Sequence, residues 1–340
     1  MIGCFFMGQL FGYKNNLSTI LISLLSIILY ICINYNKSMS LAIQLKNVSK
    51  HFGDFVAVND LSFEVQQGDI YGFLGPNGSG KSTTLRMIMG LIKNTKGEIN
   101  LFGKSLNLNR SNILREVGCI IEKPDFYNYL TALENLQLFA RANQLNFKKT
   151  DFEHLLERVG LLGREKDKVK TYSHGMKQRL GLAQVLIHNP SLIILDEPNT
   201  GLDPQGIIDL RNLILSLNKE EGKTILFSSH ILSEVQEMCT SMIVINKGKT
   251  IAQGKVAELL SHEKIHVKLE VIEVDKTIQL INQSNWKELF DKMEENVFVM
   301  NMSKDKIPAL VSFLTLSGVS IERIDYRNQL EEYFLKITNQ

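Results

Sequence analysis

The chain has 340 residues, with 38 Lys and Arg against 36 Asp and Glu and a formal net charge of +2. That balance gives no electrostatic reason to expect nucleic acid as a partner, and the length suits about two domains with a sizeable core. Its four cysteines, Cys4, Cys32, Cys119 and Cys239, show no C-x-x-C or zinc spacing, which reads as reduced packing residues of a cytosolic protein.

The first element is an apolar run, Leu17 to Ile33, at the lower length limit for a membrane span. Lys37, Lys46 and Lys50 follow it and only Lys14 precedes it, so a span here leaves the remainder in the cytoplasm. No small-x-small cleavage site follows, which argues against a signal peptide. From Ile43 to about Gly118, alternating strands such as Ala57 to Val65 surround a short apolar strand, Asp69 to Leu74. A helix from Ser82 to Gly90 and a hairpin through Gly97 to Gly103 come next. Pro124 to about Leu186 is helical in pattern, as in Thr131 to Gln144 and Asp151 to Leu162. Strands near Leu192, Thr224 and Ser241 then return at helix-length intervals, as in a parallel α/β core. After about His262 the texture becomes that of a small α+β unit of ferredoxin-like pattern. Its expected strands are Ile265 to Val271, Val297 to Met302 and Val319 to Asp325, and its expected helices Trp286 to Met293 and Ile307 to Ser317.

Between the apolar strand and the first helix, Gly75 to Ser82 reads G-P-N-G-S-G-K-S. In this pattern the loop Gly75, Pro76, Asn77, Gly78, Ser79 and Gly80 turns its backbone N–H groups, of which Pro76 has none, onto a phosphate at a helix N-terminus. Lys81 reaches the β- and γ-phosphates and the Ser82 hydroxyl holds Mg²⁺, with Thr83 beside it. About a hundred residues on, Ser191 to Glu197 reads S-L-I-I-L-D-E, a buried strand that delivers two carboxylates to those phosphates. Asp196 is assigned to Mg²⁺ and Glu197 to polarising the attacking water.

Thr171 to Leu180 reads T-Y-S-H-G-M-K-Q-R-L, and it lies between the phosphate loop and the D-E-P-N-T-G-L-D-P run, with S-S-H after that. In this order the motifs resemble the nucleotide-binding subunit of an ABC (ATP-binding cassette) transporter over roughly Ile43 to Leu260. The resemblance implies a P-loop α/β ATPase fold with an inserted helical subdomain at about residues 119–186, within a nucleotide-binding domain of residues 39–262, and an α+β extension at 263–340. It also implies an ATP and Mg²⁺ site shared by two chains. Ser173 and Gly175 then contact the γ-phosphate of ATP on the opposite subunit. Asp203 crosses the same interface, Phe52 stacks on adenine, and His230 contacts the γ-phosphate as the second catalytic residue.

Two departures stand out. The family's usual L-S-G-G-Q has Tyr172, His174 and Met176 in place of its Leu, first Gly and Gln, and a Mg²⁺-contacting glutamine is replaced by Glu122. A carboxylate still ligates Mg²⁺, but it adds negative charge beside Asp196 and Glu197. The E-K-P-D-F-Y stretch with Y-S-H-G-M-K-Q-R resembles the bacterial ABC-2 branch of peptide-antibiotic-resistance and gliding-motility type. That implies a homodimer on the cytoplasmic face of the membrane, driving a separate permease, usually for export. Residues 1–38 are read either as a membrane anchor or as an upstream stretch ahead of the family's usual start, at Met39. A ribosome-acting ABC ATPase usually has two cassettes, a chromosome ATPase has a coiled coil splitting the cassette, and a small-molecule kinase leaves the Thr171 to Leu180 segment unexplained.

Overall fold

A computed structural model of the protein describes residues 40–260 and 265–328, together with Leu330, Glu332 and Phe334. The run Leu17 to Ile33, the start at Met39 and most of the closing stretch Leu330 to Thr338 lie outside the described residues. Among the described residues, no helix is long and apolar enough to cross a membrane.

The described residues open with the antiparallel strands β1 (Leu41–Phe52) and β2 (Phe55–Gln66), then β3 (Ile70–Leu74) and the helix α1 (Lys81–Ile88). The hairpin β4 (Lys96–Leu101) and β5 (Lys104–Ser105), the helix α2 (Leu106–Leu114) and β6 (Val117–Ile120) follow. Three helices come next: α3 (Ala132–Ala142), α4 (Lys149–Arg158) and α5 (His174–Leu186). The core then resumes with β7 (Leu192–Asp196), α6 (Pro204–Lys219), β8 (Thr224–Ser229), α7 (Leu232–Met238), β9 (Ser241–Asn246), β10 (Lys249–Lys255) and the short α8 (Val256–Leu259).

Six strands form the central sheet in the order β10-β9-β3-β8-β7-β6, parallel except for β10. Every residue of β3, β7 and β8 is buried, because the sheet is covered on both faces. Alternate side chains divide between two cores. Ile70, Leu74, Ile193, Leu195, Ile225 and Phe227 point to the face covered by α3 to α7. Tyr71, Phe73, Leu192, Ile194 and Leu226 point to the face covered by α1, α2 and the β2-β1-β4-β5 sheet. Burying each such side chain contributes about 1.5–3 kcal/mol, so the carboxyl ends of β3, β7 and β8 are held firmly side by side. α3 starts in a capping box, with Thr131 Oγ1 accepting from the Glu134 N–H at 3.2 Å and the Glu134 carboxylate accepting from the Thr131 N–H at 2.7 Å.

The remaining elements are β11 (Ile265–Val271), α9 (Val274–Asn282), β12 (Phe290–Glu294), β13 (Val297–Met302), α10 (Ile307–Leu316) and β14 (Ile321–Asn328). Their β-α-β-β-α-β order and antiparallel sheet β12-β13-β11-β14 are ferredoxin-like. The helix expected over Trp286 to Met293 is not there: Asn285–Leu289 is a 3₁₀ turn and Phe290–Glu294 is a strand. Trp286, Leu289, Phe290 and Met293 do have helical spacing. Trp286 and Leu289 belong to the 3₁₀ turn and Phe290 and Met293 to the strand, where a register shift falls between Phe290 and Lys292. The helix lies earlier, at α9. Near the end of the chain, Glu332 accepts from His266 Nδ1 at 2.5 Å and Lys268 Nζ at 3.1 Å. Phe334 is buried in the core on the helical face of the central sheet.

Candidate active site

Residues 75–80 form the loop from β3 into α1. Gly80 sits at φ 105°, and a Cβ there would meet the Ala57 carbonyl oxygen at 2.7 Å, so conformation and space both require glycine. The loop closes over Lys81, which is buried. Lys81 Nζ donates to the carbonyls of Gly75 at 2.6 Å and Pro76 at 3.2 Å, and lies 3.0 Å from Glu197 Oε1. Ser79 Oγ is buried without a hydrogen-bond partner, a group that an anion's oxygen would satisfy.

The two carboxylates stand at the end of β7, next to the end of β8. Asp196 is buried and accepts from Ser228 Oγ at 2.6 Å. The same hydroxyl accepts from the Glu197 N–H at 2.9 Å, so one side chain fixes both acids. Glu197 adopts φ 47°, uncommon for a residue with a Cβ. Its Oε2 is 3.0 Å from His230 Nδ1, and since an ionised carboxylate only accepts, that nitrogen carries the proton. Burial pushes the Glu197 carboxyl up, but the Lys81 bond and charge and then His230 outweigh it and hold the group below its ordinary value. With Lys81 on it, Glu197 is ionised but a weak proton acceptor.

Two adjoining cavities share Asn77, Ser82 and Glu197. The first, about 220 Å³, is also lined by Phe55, Ala57, Gly78, Gly80, Lys81 and Thr83. The second, about 270 Å³, adds Glu122, Lys123, His174, Gln178, Asp196 and Thr200. Ser82 and Asp196 thus face one space as hard oxygen donors. Among the described residues no three His, Cys, Asp or Glu side chains are grouped to hold a metal ion. Such a donor set fits Mg²⁺, which keeps water and phosphate oxygens and needs few protein ligands.

Phe52 and Glu122 are engaged by other side chains. Phe52 is not on the cavity wall: its ring carries Lys50 Nζ at 4.8 Å from the centroid, and the wall aromatic is Phe55, three residues on. Glu122 borders the second cavity, yet its carboxylate is paired with Arg86. To ligate a metal it has to leave that guanidinium, which already offsets its charge. Ser173 caps α5, its Oγ accepting from the Met176 N–H at 3.2 Å, and neither it nor Gly175 borders the two cavities. Asp203 caps α6 through the Gly206 N–H at 3.1 Å. Ser228 and Phe55 were missed in the sequence. The only signal for Ser228 was a hydroxyl at the end of an apolar strand, and which acid it meets depends on strand order.

A family model described as ABC transporter matches residues 58–200. The chain is 37% identical over 304 residues to the uncharacterised ABC transporter ATP-binding protein YhcH of Bacillus subtilis, covering 89% of this chain and 97% of that protein. It is 38% identical to the bacitracin transport ATP-binding protein BcrA of Bacillus licheniformis, covering 88% and 98%. An ATP-binding cassette solved as a dimer in a post-hydrolysis state with ADP and Pi superposes with a TM-score of 0.57 at 26% identity, covering 63% of this chain and 98% of that one.

Proposed function

The chain belongs to the ABC transporter ATP-binding family, and on that footing we propose that two copies bind and hydrolyse two Mg·ATP at a head-to-tail interface to drive a separate membrane permease of the ABC-2 type. The observation that carries this is the incompleteness of the site within one chain. Lys81, Asp196, Glu197 and His230 converge on the phosphate loop, while Ser173 and Gly175 stand apart from it at the start of α5. A second copy supplies them.

The loop amides and Lys81 take the phosphates, so Lys81 exchanges its bond to Glu197 for one to phosphate. Losing that cation lets the Glu197 carboxyl rise from its depressed value, which makes it a better acceptor for the proton of the attacking water. His230 stays beside it, its Nδ1–H donating to Oε2. Ser82 and Asp196 would hold Mg²⁺, which when bound neutralises charge on the β- and γ-phosphates. Ser173 of the second chain adds a hydroxyl donor, with the N-terminus of α5 behind it.

Similarity to a bacitracin transport ATP-binding protein supports a peptide-antibiotic type of cargo and a place on the cytoplasmic face of the membrane. The test is purification of tagged Glu197→Gln chain with Mg·ATP from detergent-solubilised membranes, followed by mass spectrometry. A polytopic membrane protein is expected to accompany it. Recovery from the soluble fraction with ribosomes would replace the transporter with a soluble ABC ATPase.

A further inference from the structure

Ser173 and Asp203, the residues proposed to meet the second subunit, lie on separate segments, the starts of α5 and α6. Between them stands His174, where the resembled signature usually has glycine. His174 Nε2 is 3.0 Å from the Thr200 carbonyl oxygen, and because a carbonyl only accepts, Nε2 carries the proton. The ring also lies against Gly201. A Cβ at Gly201 would come within 2.9 Å of His174 Cδ2, at a backbone φ of 77° that already favours glycine. One residue further along each segment, a Cβ on Gly175 would stand 3.5 Å from Leu202 Cδ2.

The turn that His174 grips begins at Glu197. The Thr200 N–H donates to the Glu197 carbonyl and the Leu202 N–H to the Asn199 carbonyl, each at 3.1 Å. Thr200 Oγ1 also lies 3.5 Å from Glu197 Oε2. A glycine in place of His174 would offer neither the donor nor the ring.

Resting on the composite site proposed above, we propose that His174 is a positioning residue that fastens the signature loop to the turn carrying Glu197, through Thr200 and Gly201. The loop that serves the partner's nucleotide and the turn that aims this chain's own base then move as one body. Occupancy of one site is thereby felt at the base of the other, which is a coupling between two distinct sites.

The test uses the full-length chain in detergent and compares wild type with His174→Ala, His174→Gln and Gly201→Ala. A lost hydrogen bond of this kind is worth about a two- to tenfold change. His174→Ala is expected to lower kcat by about that factor and to move the Hill coefficient for ATP toward 1. Because His174 borders the second cavity, the dissociation constant for ATP is titrated on the isolated chain as well, and a loss of affinity as large as the loss of kcat would make His174 a binding residue and overturn the proposal. His174→Gln, which keeps an N–H donor, should recover most of the loss. Gly201→Ala should reproduce the loss by pushing the ring away. A His174→Ala chain with wild-type kcat and Hill coefficient overturns the proposal, as does a folded His174→Gln chain no better than His174→Ala. If Glu197→Gln chains form no ATP-dependent dimer, the composite site itself fails; if they do and His174 is silent, only the coupling fails.

Discussion

Glu197→Gln tests the site most directly, because in the nucleotide-free chain Glu197 occupies the lysine that phosphate needs. Lys81 has three N–H donors, directed to the carbonyls of Gly75 and Pro76 and to Glu197 at 3.0 Å, so a phosphate that takes the place of the carboxylate breaks the ion pair. A hydrogen bond between charged groups is worth about 1.5–3 kcal/mol net, and the glutamine carbonyl keeps about 1 kcal/mol of it as a neutral acceptor. The difference, about 0.5–2 kcal/mol, becomes available to the nucleotide, so ATP should bind about two- to thirtyfold more tightly to the variant. Hydrolysis should fall by about a hundredfold or more, the usual size of a general-base contribution. Equilibrium titration with a fluorescent ATP analogue gives the first number and single-turnover hydrolysis the second. An unchanged or weakened affinity would show that Lys81 and Glu197 do not compete with phosphate. Turnover near wild type would remove Glu197 as the base.

Phe55→Ala should weaken ATP binding about five- to 150-fold, as expected for a lost base–aromatic stack, with Phe52→Ala having the smaller effect. The reverse ranking would mean that the β1–β2 turn rearranges on binding. Glu122→Gln should shift the Mg²⁺ midpoint of ATPase activity by less than about twofold, since Arg86 already holds the carboxylate; a shift beyond about fivefold would restore Glu122 as a metal ligand. The Glu197 carboxyl sits below its ordinary 4.5 in the folded chain, so its pairing stabilises the fold above that pH and the contribution is lost as pH falls through the depressed value. Without nucleotide, the difference in Tm between wild type and Glu197→Gln should therefore be constant above about pH 5 and shrink below it. A difference that grows in acid would show that the carboxyl is raised.

The parallel core and the phosphate loop were legible in the sequence because their signals are local. Strands covered on both faces must be short apolar runs, and G-P-N-G-S-G-K-S has one backbone use. The Phe52 and Glu122 assignments, by contrast, depended on where a side chain turns. Phe52 and Phe55 are separated by a tight turn, and only its geometry decides which ring faces the cavity. Glu122 meets Arg86 from a different element. The helix expected at Trp286 to Met293 shows another limit: apolar spacing alone does not distinguish a helix from a 3₁₀ turn that runs on into a strand.

The order of the central sheet also governs how the chain is made. β3, which leads into the phosphate loop, pairs with β8 and β9, so its neighbours leave the ribosome only after the whole helical segment has been synthesised. Until then the loop's parent strand has two open, apolar edges, the condition that slows folding and invites aggregation. Phe334 extends the delay, since it enters the same core from beyond β14. A chain cut short by translational arrest before β8 would carry every residue of the phosphate loop and still have neither of the strands that flank β3, so nascent chains of increasing length should acquire protease resistance late and abruptly.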